Sequence, residues 1–116
     1  MDRVKTLQNA KALLDRGWCQ HHMALNVYRW IVTPDSSEAT HFCLVGAIYN
    51  EVKSSDNLDY YVRELLQNIA DFEADFPVYD RNERQAKMTA WNDIQGRTKE
   101  EVLVLLDETI ARLQKE

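Results

Sequence analysis

The stretch THFCLVGAIYNEV (residues 40–52) decides how the rest of the chain is read. Phe42, Cys43, Leu44, Val45, Ala47, Ile48, Tyr49 and Val52 are apolar, so a helix here keeps no wide polar face. Such a helix belongs in the middle of a domain. Cys43, Gly46, Ala47 and Asn50 fall at i, i+3, i+4 and i+7, a stripe of small residues along which another backbone can come close. Thr40 is the expected N-cap, and the helix should run to about Lys53. Overpacking the stripe with Gly46→Leu is expected to disrupt the fold.

Upstream, Val4, Leu7, Lys11, Leu14 and Trp18 recur at helical spacing, with Ala10 and Leu13 beside them. Asp2 and Arg16 suit the positive and negative ends of that first helix. Gly17 reads as a left-handed stop. After a loop at residues 18–22, the run LNVYRWIV (residues 25–32) is rich in β-branched and aromatic types. Leu25, Val27 and Ile31 alternate with Tyr28, Trp30 and Val32, and Arg29 breaks the pattern, which predicts a strand. The turn chemistry of PDSS (residues 34–37) would return the chain toward Thr40 as a small hairpin leaning on helices.

Downstream, the polar SSDN (residues 54–57) offers caps for a helix whose apolar stripe is Leu58, Tyr61, Val62, Leu65, Ile69, Phe72 and Phe76, stopped by Pro77. Asn82 and Gln85 resemble a capping box for a short helix over residues 83–90, and residues 91–97 read as a loop. Thr98 and Glu101 form a second capping box ahead of Val102, Leu105, Leu106, Ile110 and Leu113. The expected fold is one domain over residues 1–116, mainly α. It is a compact bundle of about five helices with one small β-hairpin after the first.

Only three Gly and two Pro are present, too few for the turns of an all-β chain. Nineteen acidic against 14 basic residues leave a net charge of −5. The densest basic grouping, residues 81–87, is interrupted by Glu83 and preceded by Asp80, so a phosphate backbone is a poor partner. The opening MDRVKTLQNAKALL is charged and lacks the apolar core of a signal peptide, and no apolar run could span a membrane. With two cysteines and no export signal, a cytoplasmic, reducing setting is expected.

Every Cys and His of the chain (Cys19, His21, His22, His41 and Cys43) lies near the two ends of the expected hairpin. Together they could supply a tetrahedral zinc site, but C-x-H and H-x-C leave only one residue between ligands. Buried structural thiols and surface histidines are the simpler reading. Cys19, partly exposed beside a helix stop, could serve as a nucleophile, but the negative helix end would raise its pKa. Trp91, Asn92 and Asp93 form either a partner contact or a loop plug whose polar side chains bond nearby amides, and the structural role is favoured. Asp71, Glu73, Asp75 and Asp80 read as a solvated acidic face.

The pieces GWCQ (residues 17–20), ATHFCLVGAI (residues 39–48) and WND-QGRTKEEVLVLLDETI (residues 91–110, Ile94 at the dash) resemble a family of small uncharacterised bacterial and phage proteins. That family shares G-W-x-Q, C-L-x-G-A and W-N-D before R-T-x-E-E-V. The resemblance implies a fold unit and no activity. It also implies that a shared site would involve Trp18, Gln20, Trp91, Asn92 or Asp93. His21 and His22 stand where Gly-Ala is expected, which argues against a histidine-based family site. Small size, acidic charge and the lack of a complete catalytic or phosphate-binding motif lead to a non-enzymatic binding or regulatory protein acting on a protein partner. It would be related to phages or mobile elements, inhibition of a host defence system being one use open to it. No cofactor or membrane is expected. A small Cys/His metalloprotein or enzyme is the alternative, and a homodimer through the Tyr28 or Trp30 face stays open.

Overall fold

The computed structural model describes residues 2–69 and 80–116. Helix α1 (Arg3–Arg16) starts where the Asp2 carboxylate accepts the Val4 and Lys5 amides, each at 3.1 Å. It buries Thr6, Leu7, Ala10 and Leu14. Strands β1 (Ala24–Leu25) and β2 (His41–Phe42) pair antiparallel, with Ala24 opposite Phe42 and Leu25 opposite His41. Helices α2 (Leu44–Val52), α3 (Ser55–Leu66), α4 (Arg81–Asp93) and α5 (Lys99–Gln114) follow. Among the described residues, five helices and one small hairpin after the first are thus the architecture the residue pattern predicts.

Helix α2 is the axis of the domain. It packs on α1, α3 and α4, while α5 closes against α1 and α3. Leu44, Val45, Ala47 and Ile48 have no solvent exposure, and Leu7, Leu14, Leu65, Leu66, Met88, Val102 and Leu106 surround them. The small-residue stripe performs its expected role at Gly46. A Cβ there would sit 1.9 Å from the Met23 carbonyl oxygen, so only glycine lets the β1 approach lie so close.

Several boundaries differ from those expected, each for a local reason. The central helix starts at Leu44, and Cys43 caps it through Sγ, which accepts the Gly46 amide at 3.3 Å. Thr40 is not the cap because residues 40–43 are held as strand from both sides. On one side, Phe42 donates to the Gly17 carbonyl and accepts from the Cys19 amide, both at 3.0 Å. On the other, Thr40 donates to Leu25 and Cys43 to Met23. Gly17 is extended at φ −168, not left-handed, and is needed because a Cβ would stand 2.3 Å from the Thr40 carbonyl oxygen.

The expected strand over residues 25–32 is broken in two. The buried Asn26 side chain accepts amides from Tyr28 at 2.9 Å and Trp30 at 3.0 Å, and Arg29 takes the left-handed region at φ 67. The chain therefore doubles back, with Leu25 bridging Ile31.

Helix α3 stops at Leu66 instead of running through Ile69. There Arg112 of α5 donates to the Glu64 carbonyl at 2.6 Å and to Asn68 Oδ1 at 3.0 Å, drawing the end of the helix onto its neighbour. Phe72, Phe76 and Pro77, like the acidic Asp71, Glu73 and Asp75, lie outside the described residues. Helix α4 is longer than expected: Asp80 caps it through the Glu83 amide at 2.8 Å, not Asn82. Trp91, Asn92 and Asp93, expected in a loop, are its last turn. Helix α5 has the Thr98–Glu101 capping box as expected. No helix is long and apolar enough to cross a membrane among the described residues.

Candidate functional site

Four of the five candidate site residues, Trp18, Gln20, Asn92 and Asp93, meet at one point. Helix α4 ends by turning the Asn92 side chain, which has no solvent exposure, onto the loop after α1 and the start of α2. Its Oδ1 accepts the Trp18 indole N–H at 2.9 Å and the Leu44 amide at 3.1 Å. Its Nδ2 donates to the Cys19 carbonyl at 3.3 Å and to Asp93 Oδ1 at 2.9 Å. A carboxamide has two donors and two acceptor lone pairs, so every one is used. Gln20 Nε2 donates to the Asn92 and Ile94 carbonyls at 3.1 and 3.0 Å, satisfying the exposed end of α4. Asp93 Oδ1 also accepts the His21 amide at 2.9 Å. The polar atoms of Trp18, Gln20, Asn92 and Asp93 are thereby turned on one another and on backbone.

Trp91 faces elsewhere. The Arg97 guanidinium lies 4.0 Å over its ring and donates to the Trp91 carbonyl at 2.9 Å. A shallow cleft of about 340 Å³ runs past it between Ile69 and Val104.

The cysteines and histidines of the hairpin ends come near each other without converging. Cys19 Sγ contacts the His22 carbonyl at 3.4 Å, Cys43 Sγ is the helix cap, and His41 Nδ1 pairs with the Thr40 hydroxyl at 2.9 Å. Among the described residues no three His, Cys, Asp or Glu side chains are grouped to hold a metal ion. Cys19 is buried, contrary to the exposure expected of a nucleophile. Burial, helped by Cys43 and Asp93 nearby, pushes its thiol up to about 12. Burial pushes Cys43 up to about 11, against the amide bond from Gly46 that favours the thiolate. Both are therefore neutral thiols at pH 7, and no imidazole is bonded to either sulfur.

Among the described residues, the four most exposed large hydrophobics form the tip that Asn26 builds. Val27, Tyr28, Trp30 and Ile31 are each at least 66% exposed, and the rings of Tyr28 and Trp30 lie 5.4 Å apart between centroids, tilted at 40°. Beside it, a groove of about 460 Å³ runs between α1 and β2, walled by Leu13, Val27, Ala39 and Phe42, with Arg16 and His41 at its edge. Read as a strand, this stretch conceals its turn. Asn26 ahead of Arg29, the residue that breaks the alternation, is the signal that could have located it, since Asn readily organises its own backbone into turns.

The chain belongs to a family of unknown function (DUF6197), whose pattern matches residues 2–112. No curated protein and no solved structure matches it.

Proposed function

We propose that this chain is a small, acidic, non-enzymatic binding protein that acts on a protein partner through the tip at residues 27–31. The observation that carries this reading is the pairing of high exposure with fixed backbone geometry. Tyr28 and Trp30 stand 71% and 68% exposed on a turn whose amides are bonded to the buried Asn26 side chain. Aromatic side chains held in place before contact are the usual anchors of protein interfaces, because little conformational freedom is lost on docking. The hydrogen-bonded hub around Asn92 supports the tip's scaffold, since it ties the segments on either side of the hairpin to α4. Two protonated, buried thiols suit a reducing cytoplasmic setting and give no support to a Cys/His enzyme or metalloprotein. The GWCQ, CLVGA and WND motifs support a bacterial or phage setting, in which inhibition of a host defence system is one use of such a binder.

Co-purification from a bacterial lysate tests the reading when the native chain is run beside a Tyr28→Ser/Trp30→Ser variant of equal melting temperature. A partner held by the native chain and lost from the variant is expected. Repeated absence of any partner, or one retained equally by the variant, overturns it.

A further inference from the structure

We propose that the groove between α1 and β2, with the adjoining tip, receives an apolar segment of a protein partner that carries carboxylates. The inference rests on the binding role assigned to the tip and adds the chemistry of what is bound.

Charge is what selects this occupant. The chain has a surplus of acidic groups, and its arginines are mostly engaged by them. Arg3 bridges Glu116, Arg81 bridges Asp56, Arg84 bridges Asp59, Arg97 bridges Glu101, and Arg112 bridges Glu64. Among the described residues Arg63 makes no direct bridge, but it lies among Asp56, Asp59 and Glu64. Arg16 and Arg29 differ. Among the described residues they bridge no carboxylate, both are exposed, and both belong to this one region. Arg16 edges the groove, and Arg29 sits on the turn between Val27 and Trp30. The carboxylate nearest to Arg16 in sequence, Asp15, is engaged instead by Lys99 Nζ at 3.4 Å. Among the described residues no Asp or Glu lines the groove. Arg16, which lines the groove, and Arg29, on the adjoining turn, therefore complement a segment with apolar side chains and acidic neighbours. The groove's volume of about 460 Å³ lies within the ordinary range for clefts that hold a few side chains.

A second copy of the chain fits less well, because a symmetric tip-to-tip contact would bring both copies' Arg29 into one interface with no carboxylate on residues 27–31 to meet them. An anionic membrane is opposed by the net charge of −5 and by the lack of a lysine cluster beside the tip.

The test is selection of a library of random displayed peptides on the immobilised full chain. Each enriched peptide is then measured in solution against the native chain, Arg16→Glu/Arg29→Glu, Arg16→Gln/Arg29→Gln and Tyr28→Ser/Trp30→Ser, with melting curves for all. Phosphatidylserine vesicles and sedimentation of the protein alone run in parallel. Enriched peptides that join apolar residues to Asp or Glu are expected. Their affinity should fall about tenfold on charge reversal, less on charge removal, and further as salt rises. Peptides that need Tyr28 and Trp30 but carry no acid, and ignore both arginines, overturn the acidic chemistry and leave the binding role standing. Peptides indifferent to the tip, or no enrichment while vesicles or a second copy occupy Trp30, overturn both.

Discussion

The Trp18 indole nitrogen donates to Asn92 Oδ1 at 2.9 Å across 74 residues of sequence, and the same oxygen accepts the first amide of α2. This joint ties GWCQ (residues 17–20) to WND (residues 91–93) in space. The tryptophan and the glutamine of one motif and the asparagine and aspartate of the other are halves of one connection between α1, α2 and α4.

Asn92→Ala should therefore cost more than its volume suggests. It strands the Trp18 N–H, the Leu44 N–H and the Cys19 carbonyl, and an unsatisfied buried polar group costs about 1–3 kcal/mol. A loss of roughly 3 kcal/mol is expected, read as a lower urea midpoint at unchanged slope. A variant that unfolds at the native midpoint would show that the hub adds nothing to stability.

How much of this could be read from the residues alone follows from range. Periodicity and caps are local, so α1, the Thr98–Glu101 box of α5 and the buried character of residues 44–48 were legible. The last turn of α4 was not, because Asn92 and Asp93 look like loop formers until their distant partners, Trp18, Leu44 and His21, are in place. The tip failed for the opposite reason. Valine, tyrosine, tryptophan and isoleucine favour strand wherever they stand, and one buried carboxamide outweighed that preference. At Gly17 and Gly46 the sequence signal was a small residue in each case. Close backbone approach was legible in the stripe at Gly46, whereas at Gly17, read as a left-handed stop, only the fold reveals it.

Gly46→Ala tests the central packing more gently than a large side chain would. The new methyl would collide with the Met23 carbonyl at 1.9 Å, so β1 or α2 must move, at a cost of about 3 kcal/mol or more. Gly96→Ala is the control. Nothing lies within 4 Å of its Cβ position, and only the left-handed φ of 90 opposes it, at about 1 kcal/mol. If thermal melting ranks the two equally, steric closeness at Gly46 is not what requires glycine.

Asp59 and Arg84 join α3 to α4 through two hydrogen bonds of 2.9 and 2.8 Å, with both side chains mostly buried. The Arg84 bonds hold the Asp59 carboxyl below its usual range, against the opposing effect of burial. A carboxylate depressed in the folded state contributes stability above its unfolded pKa of about 3.9 and loses it as the pH falls through the folded value. Asp59→Asn should consequently be less stable than the native chain at pH 7. The gap should shrink steadily below about pH 4. Chemical denaturation across that range checks it, and a gap that stays constant with pH would refute the pairing.

The thiols should be inert while the chain is folded. With Cys19 and Cys43 buried and their pKa values raised to about 12 and 11, a thiol reagent at pH 7.5 (roughly a unit below a free cysteine's pKa) finds neither thiolate nor access. Modification should follow the rate of unfolding and become immediate in denaturant. Rapid labelling of Cys19 in the native state would restore it as a reactive group.

Asn26 gives the sharpest separation of fold from function. Its side chain bonds the Tyr28 and Trp30 amides and little else, so Asn26→Ala should release the tip while leaving the α2 core intact. Amide exchange should accelerate at Tyr28 and Trp30 and stay slow at Phe42, which is bonded to Gly17 in the adjoining strand. Global stability should fall by about 1 kcal/mol, the ordinary net worth of such bonds. Binding to peptides selected on the native chain should fall further than that loss accounts for, because the free aromatic side chains must be ordered again on contact. Asn26→Asp keeps the acceptor oxygen and should recover most of the protection and the affinity. If alanine weakens stability and binding in equal measure, or aspartate recovers neither, the turn is only structural and the tip is not pre-formed for a partner.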